Sequence, residues 1–152
     1  MSRRAEIRMT DAEVDAFLRE PNHLQVATIG PDGRPHLVAM WYGFLDGAIT
    51  LWTYARSQKV VNLRRDPRCT CLAESGQSYD ELKGVELLGR ATILDDRESV
   101  LRVGRSVFER YVGPGSDEQR SRVERMSAKR VAVRIDVDKV VSWDHAKMGA
   151  AP

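Results

Sequence analysis

The 152-residue sequence predicts a mainly β fold with flanking helices, an α+β protein whose strands form a small antiparallel barrel. Three observations carry that reading. Short runs rich in β-formers are separated by strong turn signals, Gly30-Pro31-Asp32-Gly33 and Asp46-Gly47. About six such runs occur, with helical segments inserted between groups of them rather than alternating one for one as in a parallel sheet. Finally, neither a G-x-G-x-x-G turn nor a Walker-type loop is present, which removes the usual signature of a doubly wound nucleotide fold.

Each element has its own justification. Thr10-Asp11-Ala12-Glu13 is a capping box, and Val14, Phe17 and Leu18 follow at helical spacing, predicting a helix over 11–19 that Pro21-Asn22 ends. Residues 24–29, 35–42 and 48–54 read as a three-strand meander, with 43–47 as a turn. A short helix is expected over 58–65, closed by Asp66-Pro67. Strand resumes over 69–73, a polar loop spans 75–83, and a long strand covers 84–94 with a bulge or bend at Gly89. Asp95-x-x-Glu98 signals a helix whose apolar face is Val100, Leu101, Gly104, Val107, Phe108 and Tyr111, ending near Gly113-Pro114. A charged helix over 117–128 and a last strand over 131–137, extended by 140–143, complete one domain over 1–152.

Composition narrows the function classes. Hydrophobic content of 42% and charged content of 30% are those of an ordinary globular chain, and a net charge of +2 does not by itself imply a nucleic-acid partner. No run approaches the length needed to span a bilayer, and no apolar core follows the charged N-terminus, so no membrane partner and a cytoplasmic setting are expected. Cys69 and Cys71 sit two apart on one strand face and read as buried reduced thiols. His23, His36 and His145 have no metal-ligand spacing, and no nucleophile elbow occurs. No metal site and no catalytic acid–base pair is assigned.

Anion binding is the chemistry left. Ser57, Gln58 and Lys59 open the short helix, where free backbone N–H groups and the helix dipole favour phosphate. Arg65 lies about two turns after Gln58 and shares its face, while Trp52 and Thr53 at the preceding strand end border the place where a flat ring would lie. A solvated basic edge formed by Lys59, Arg64, Arg65 and Arg68 explains the same residues equally well. A second basic set, Arg120, Arg122, Arg125, Lys129 and Arg130, is interleaved with acids and reads either as a solvated helix face or as a contact for a polyanionic tail.

Three stretches carry a family resemblance: A-T-I-x-x-D-G-R-P-H over 27–36, S-x-K-x-x-N-L-R-R-D-P-R over 57–68, and L-x-G-x-A over 87–91. The chain resembles the pyridoxamine 5′-phosphate oxidase-like superfamily and, more narrowly, its flavin/deazaflavin oxidoreductase B branch. That resemblance implies a split β-barrel and a homodimer with the cofactor at the interface. It implies that Thr53, Ser57, Gln58 and Lys59 hold the cofactor phosphate, that Val38, Met40 and Trp52 line the ring, and that the partner's loop at 77–79, with Tyr79, closes over it. The strand Leu37-Val38-Ala39-Met40-Trp41 and the Trp143-Asp144-His145-Ala146 segment lack the basic groups with which relatives grip pyridoxamine phosphate. The resemblance therefore implies the deazaflavin coenzyme F-420, whose acidic tail Arg65 or the second basic set would meet, and hydride transfer to an unsaturated small molecule. FMN is the alternative cofactor, in an oxidase or flavin reductase, and a binding protein without turnover is the alternative class.

Overall fold

A computed structural model of the chain describes residues 2–149. After a short helix α1 (Arg3–Glu6), helix α2 (Asp11–Arg19) leads into strands β1 (Leu24–Ile29), β2 (Pro35–Met40), β3 (Gly43–Leu45) and β4 (Ala48–Tyr54). Helix α3 (Gln58–Arg65) intervenes before β5 (Arg68–Ser75) and β6 (Lys83–Leu94). Helices α4 (Arg97–Tyr111) and α5 (Asp117–Ser127) precede the long strand β7 (Arg130–Asp144). The strands form one antiparallel sheet in the order β2-β1-β5-β6-β7-β4-β3, curled into a split half-barrel.

Seven strands are present rather than about six. Residues 43–45, expected as turn, pair with 48–50 as β3. The turn itself needs only Asp46 and Gly47, both at positive φ (50° and 82°), the tight geometry that matches hairpin twist. The expected bulge is at the expected place, a register shift between Leu88 and Gly89 opposite β7. Strand β7 is continuous over Arg130–Asp144, with Asp138 the residue left without a partner at the bulge. The cap of α4 is Asp96, which accepts from the Ser99 N–H at 3.0 Å, one residue later than expected.

The curled sheet has two apolar sides. Inside lie Leu24, Val26, Leu51, Cys71, Leu87 and Val133, with both cysteines buried and reduced. Outside, Trp52 and Ala132 join Val100, Val103, Val107 and Val123 beneath α4 and α5. Gly104 permits that second contact, because a Cβ there would stand 2.8 Å from the Trp52 ring and 2.9 Å from Val123. Helix α3 packs instead against β1 and β6, across one end of the barrel.

The chain ends are tied together at α2. The Thr10 hydroxyl accepts from the Glu13 N–H, and the Glu13 carboxylate accepts from the Thr10 N–H and from Lys147 Nζ, each at 2.6 Å. Lys147 and then the Thr10 N–H hold the Glu13 carboxyl down at about 2, against 4.5 ordinarily. A depressed carboxyl contributes stability that is complete above 4.5 and is lost as pH falls toward 2. Glu13→Gln is expected to lower the Tm at pH 7 by on the order of a degree, since the pair is exposed. Thermal scans of both proteins down the pH range should show that gap closing between 4.5 and 2.

Candidate functional site

Strand alternation and one tight connection build the site. Along β4, Trp52 and Thr53 point to opposite faces, and only Thr53 looks toward α3. The chain then turns, with the Ala55 N–H donating to the Lys129 carbonyl at 3.0 Å and the Ser57 N–H to the Tyr54 carbonyl at 3.1 Å. Helix α3 starts at once. Lys59, on its first turn, is only 8% exposed and donates from Nζ to Thr53 Oγ1 at 2.9 Å. Among the described residues it forms no ion pair, and burial pushes its ammonium pKa below the ordinary lysine value.

Ser57 sharpens the picture. It occupies the N-cap of α3 in extended conformation, yet its hydroxyl makes no capping bond, and its Oγ is buried without a partner. Thr10, Asp96 and Ser116, at the N-caps of α2, α4 and α5, each accept from the expected backbone N–H. The first intrahelical donor of α3 is Val61, so the amides of residues 58–60 have no acceptor within the helix. Backbone N–H groups, the Ser57 hydroxyl and the buried Lys59 ammonium thus stand within the first turn of α3, and among the described residues none of them is bonded to a carboxylate; we call this first turn, with Thr53, the cradle. Every ligand atom that satisfies such a set is an acceptor, and an oxyanion satisfies it best.

A polar row, buried at Asn62 and Thr28, fixes α3 in place. Gln58 Nε2 donates to Asn62 Oδ1 at 2.8 Å, and Asn62 Nδ2 donates to Thr28 Oγ1 at 3.0 Å. One turn further, the Arg65 guanidinium donates to the Ile29 carbonyl at the end of β1. Gln58 and Arg65 do share one face, as their seven-residue spacing requires. Asn62 and Thr28 were not singled out by sequence reasoning. The signal available was an amide at i+4 from Gln58, on the stripe where Val60 and Leu63 are apolar.

The other expected residues are distributed unevenly. Val38 and Met40 lie half-buried on the inner face of β2, packed on the barrel core. Trp52 is a correction: it sits under α4 with Phe108, at ring centroids 5.9 Å apart, on the side of the sheet away from Thr53 and Lys59. Strand parity excludes consecutive residues from lining one ring. Tyr79 stands at the opposite end of the barrel, 66% exposed, edge-on to His145 at 4.6 Å. In the second basic set, Arg120 pairs with Asp117 at 2.7 Å and Arg122 covers Phe108. Arg130 lies over Tyr54 at 4.1 Å and Trp52 at 4.6 Å, beside the start of the β4–α3 turn. Among the described residues no three His, Cys, Asp or Glu side chains converge as metal ligands, and no helix is long and apolar enough to cross a membrane.

Residues 10–144 match the family model described as pyridoxamine 5′-phosphate oxidase. The chain is 50% identical to a conserved hypothetical protein, Rv2991, from Mycobacterium tuberculosis, whose crystal structure aligns over 100% of this chain and 95% of that one with a TM-score of 0.93. An F-420 reductase, 20% identical, shares the fold with a TM-score of 0.66 over 83% of this chain and 94% of that one. HutZ, described as a heme storage protein from Vibrio cholerae, is 16% identical and shares it at 0.69 over 90% and 97%. No curated protein matches the chain.

A buried ammonium without a counter-ion lowers stability until a ligand arrives. With its folded pKa below the unfolded value, the charged form costs stability at neutral pH, and the cost fades as pH rises toward 10.5. Lys59→Met is therefore expected to melt a few degrees higher than the wild type at pH 7 without ligand, by about 2–4 °C for each kcal/mol relieved. Calorimetry of the two proteins from pH 7 to 10 should show the difference shrinking.

Proposed function

Because the chain belongs to the pyridoxamine 5′-phosphate oxidase family, we propose that it is an oxidoreductase dependent on the deazaflavin coenzyme F-420, reducing an unsaturated small molecule. The observation that supports a phosphate-bearing cofactor is the cradle: Lys59 buried with no carboxylate and Ser57 at a helix N-cap it does not cap. The residues present fit such a coenzyme. Ser57, Lys59, Thr53 and the free amides of α3, including that of Gln58, receive the phosphate. The half-buried strip of Val38 and Met40 receives the ring, and Arg64 and Arg65, exposed on α3, face an acidic tail. The same fold in an F-420 reductase supports this choice.

When bound and reduced, the coenzyme supplies the hydride, which accounts for the missing acid–base pair. The chain's residues do the remaining work. Thr53 holds the Lys59 ammonium toward the cradle, Asn62 and Arg65 keep α3 rigid on β1, and Val38 and Met40 orient the ring and exclude water. No residue is assigned a catalytic role.

The site is completed by a second copy of the chain. Leu37 on edge strand β2 (69% exposed) and Trp41 just after it (43%) present apolar surface that a homodimer contact would cover. Tyr79, remote from the cradle within one chain, would then come from the partner. Leu37→Glu is expected to shift the protein from dimer to monomer in sedimentation velocity. A wild-type monomer at micromolar concentration would remove the dimer from the proposal.

Fluorescence titration with F-420 and with FMN tests the cofactor. Lys59→Ala is expected to weaken F-420 binding by about 1.5–3 kcal/mol, the range for a charge-assisted hydrogen bond lost from a buried site. Unchanged affinity would sink the phosphate seat. Preferential FMN binding would instead favour an oxidase or flavin reductase, and binding with no acceptor-dependent oxidation of the reduced cofactor would favour a protein without turnover.

A further inference from the structure

The N-terminal segment is fastened to the far end of β7 at two points. The Asp144 N–H donates to the Ile7 carbonyl at 2.7 Å, and the Met9 N–H donates to Ser142 Oγ at 3.2 Å. Helix α1, just before them, buries none of its residues. Strand β4 pairs with β7 only over 130–134, so among the described residues no strand flanks 139–142 on that side. A cleft of about 590 Å³ is left between α1 and this part of β7.

The chemistry of its walls is one-sided. Arg4 and Arg8 line it from the N-terminal segment and Lys139 from β7, and no acid lines it. Among the described residues none of these three cations is ion-paired. The acids at the fastening points are already taken, Glu13 by Lys147 at 2.6 Å and Asp144 by Lys83 at 3.1 Å. Ser142, also in the lining, is 9% exposed. Its oxygen accepts from Met9, while its hydroxyl proton has no acceptor among the described residues. The polar side chains of the cleft are thus all cations or hydroxyls, and Ala5, Val140 and Val141 give it apolar surface.

We propose that this cleft binds an organic polyanion, a small molecule that carries two or more oxyanion groups on a carbon frame. Guanidinium groups pair with oxyanions through two parallel hydrogen bonds and an ammonium pairs as a point charge. Three cations that face one space repel one another, and a ligand with several negative groups relieves that repulsion where a monoanion relieves only part. The Ser142 hydroxyl donates to one of those groups, and the two valines cover the carbon frame. The site is separate from the cradle. Strand β7 starts beside the β4–α3 turn, and Val140 lies ten residues beyond Arg130, on the order of 30 Å along a strand. Its ligand is therefore independent of the cofactor reading.

Calorimetric titration of the full chain with butyrate, glutarate and tricarballylate, which carry one, two and three carboxylates, tests the cleft. Propane-1,3-bisphosphonate is the phosphate-like counterpart. Affinity should rise with the number of carboxylates, and the stronger of tricarballylate and the bisphosphonate shows which oxyanion the cleft prefers. Arg8→Gln with Lys139→Gln, both at exposed positions, should weaken that ligand about tenfold, as two solvent-screened ion pairs are lost. Arg3→Gln removes a charge of α1 that does not line the cleft and should change the affinity less than about twofold, as should Lys59→Ala in the cradle. Thermal melts confirm that each variant folds. No heat from either polyanion at millimolar concentration, or equal affinity for butyrate and tricarballylate, overturns the proposal. So does an equal loss in Arg3→Gln, which would mean diffuse surface charge, or in Lys59→Ala, which would move the binding to the cradle.

Discussion

One ammonium group, buried at Lys59 without a counter-ion, sets the terms for the rest of the site. Desolvating a charge costs several kcal/mol unless something nearby restores what water supplied, and a single hydroxyl, that of Thr53, restores only part. Such a group stays in place only if the backbone around it is held by other contacts. Val60 and Leu63 bury the apolar side of α3, Asn62 ties it to β1, and Arg65 reaches the end of that strand. Nearly every residue of this two-turn helix either faces the cradle or fixes the helix that makes it.

The sheet supports the cradle from behind. Strand β4 sends Thr53 to one side and Trp52 to the other, and the Trp52 ring is locked under α4 by the close approach that Gly104 allows. Arg130, stacked over Trp52 and Tyr54, joins the start of β7 to the end of β4 at the same level. The second apolar layer is therefore more than a cover. It stiffens the strand end from which the turn into α3 departs, so the donors of the cradle are held in a fixed arrangement.

Much of this was legible in the residues before any coordinates. The Thr10–Glu13 capping box, the Asp46-Gly47 turn, the bulge at Gly89 and the bounds of α3 all follow from local chemistry that tertiary contacts leave intact. The meeting of Thr53 and Lys59 was legible for the same reason, since the seven residues from strand end to helix start bring them together. Trp52 was misplaced because a property of strands, the alternation of faces, was set aside in favour of its neighbourhood to Thr53. Asn62 stands in a family motif yet received no role, because its bond to Thr28 spans more than thirty residues of chain. Strand β3 was missed because three residues carry too little periodicity to separate a short edge strand from a turn. Tyr79 stands at the far end of the barrel from the cradle within one chain, so its expected place beside a cofactor depends on the proposed second copy.

The cradle reads one chemical feature of a ligand. Backbone amides, a hydroxyl and an ammonium read an oxyanion and nothing beyond it, so two phosphate-bearing rings present the same face to Ser57 and Lys59. Discrimination must come from groups that meet parts in which the ligands differ. Under the proposed reading those groups would be the half-exposed edge strand β2, the exposed arginines of α3, and the surface that covers Leu37 and Trp41. Affinity and identity would then be divided in space, the first supplied at the start of α3 and the second at the half-exposed rim.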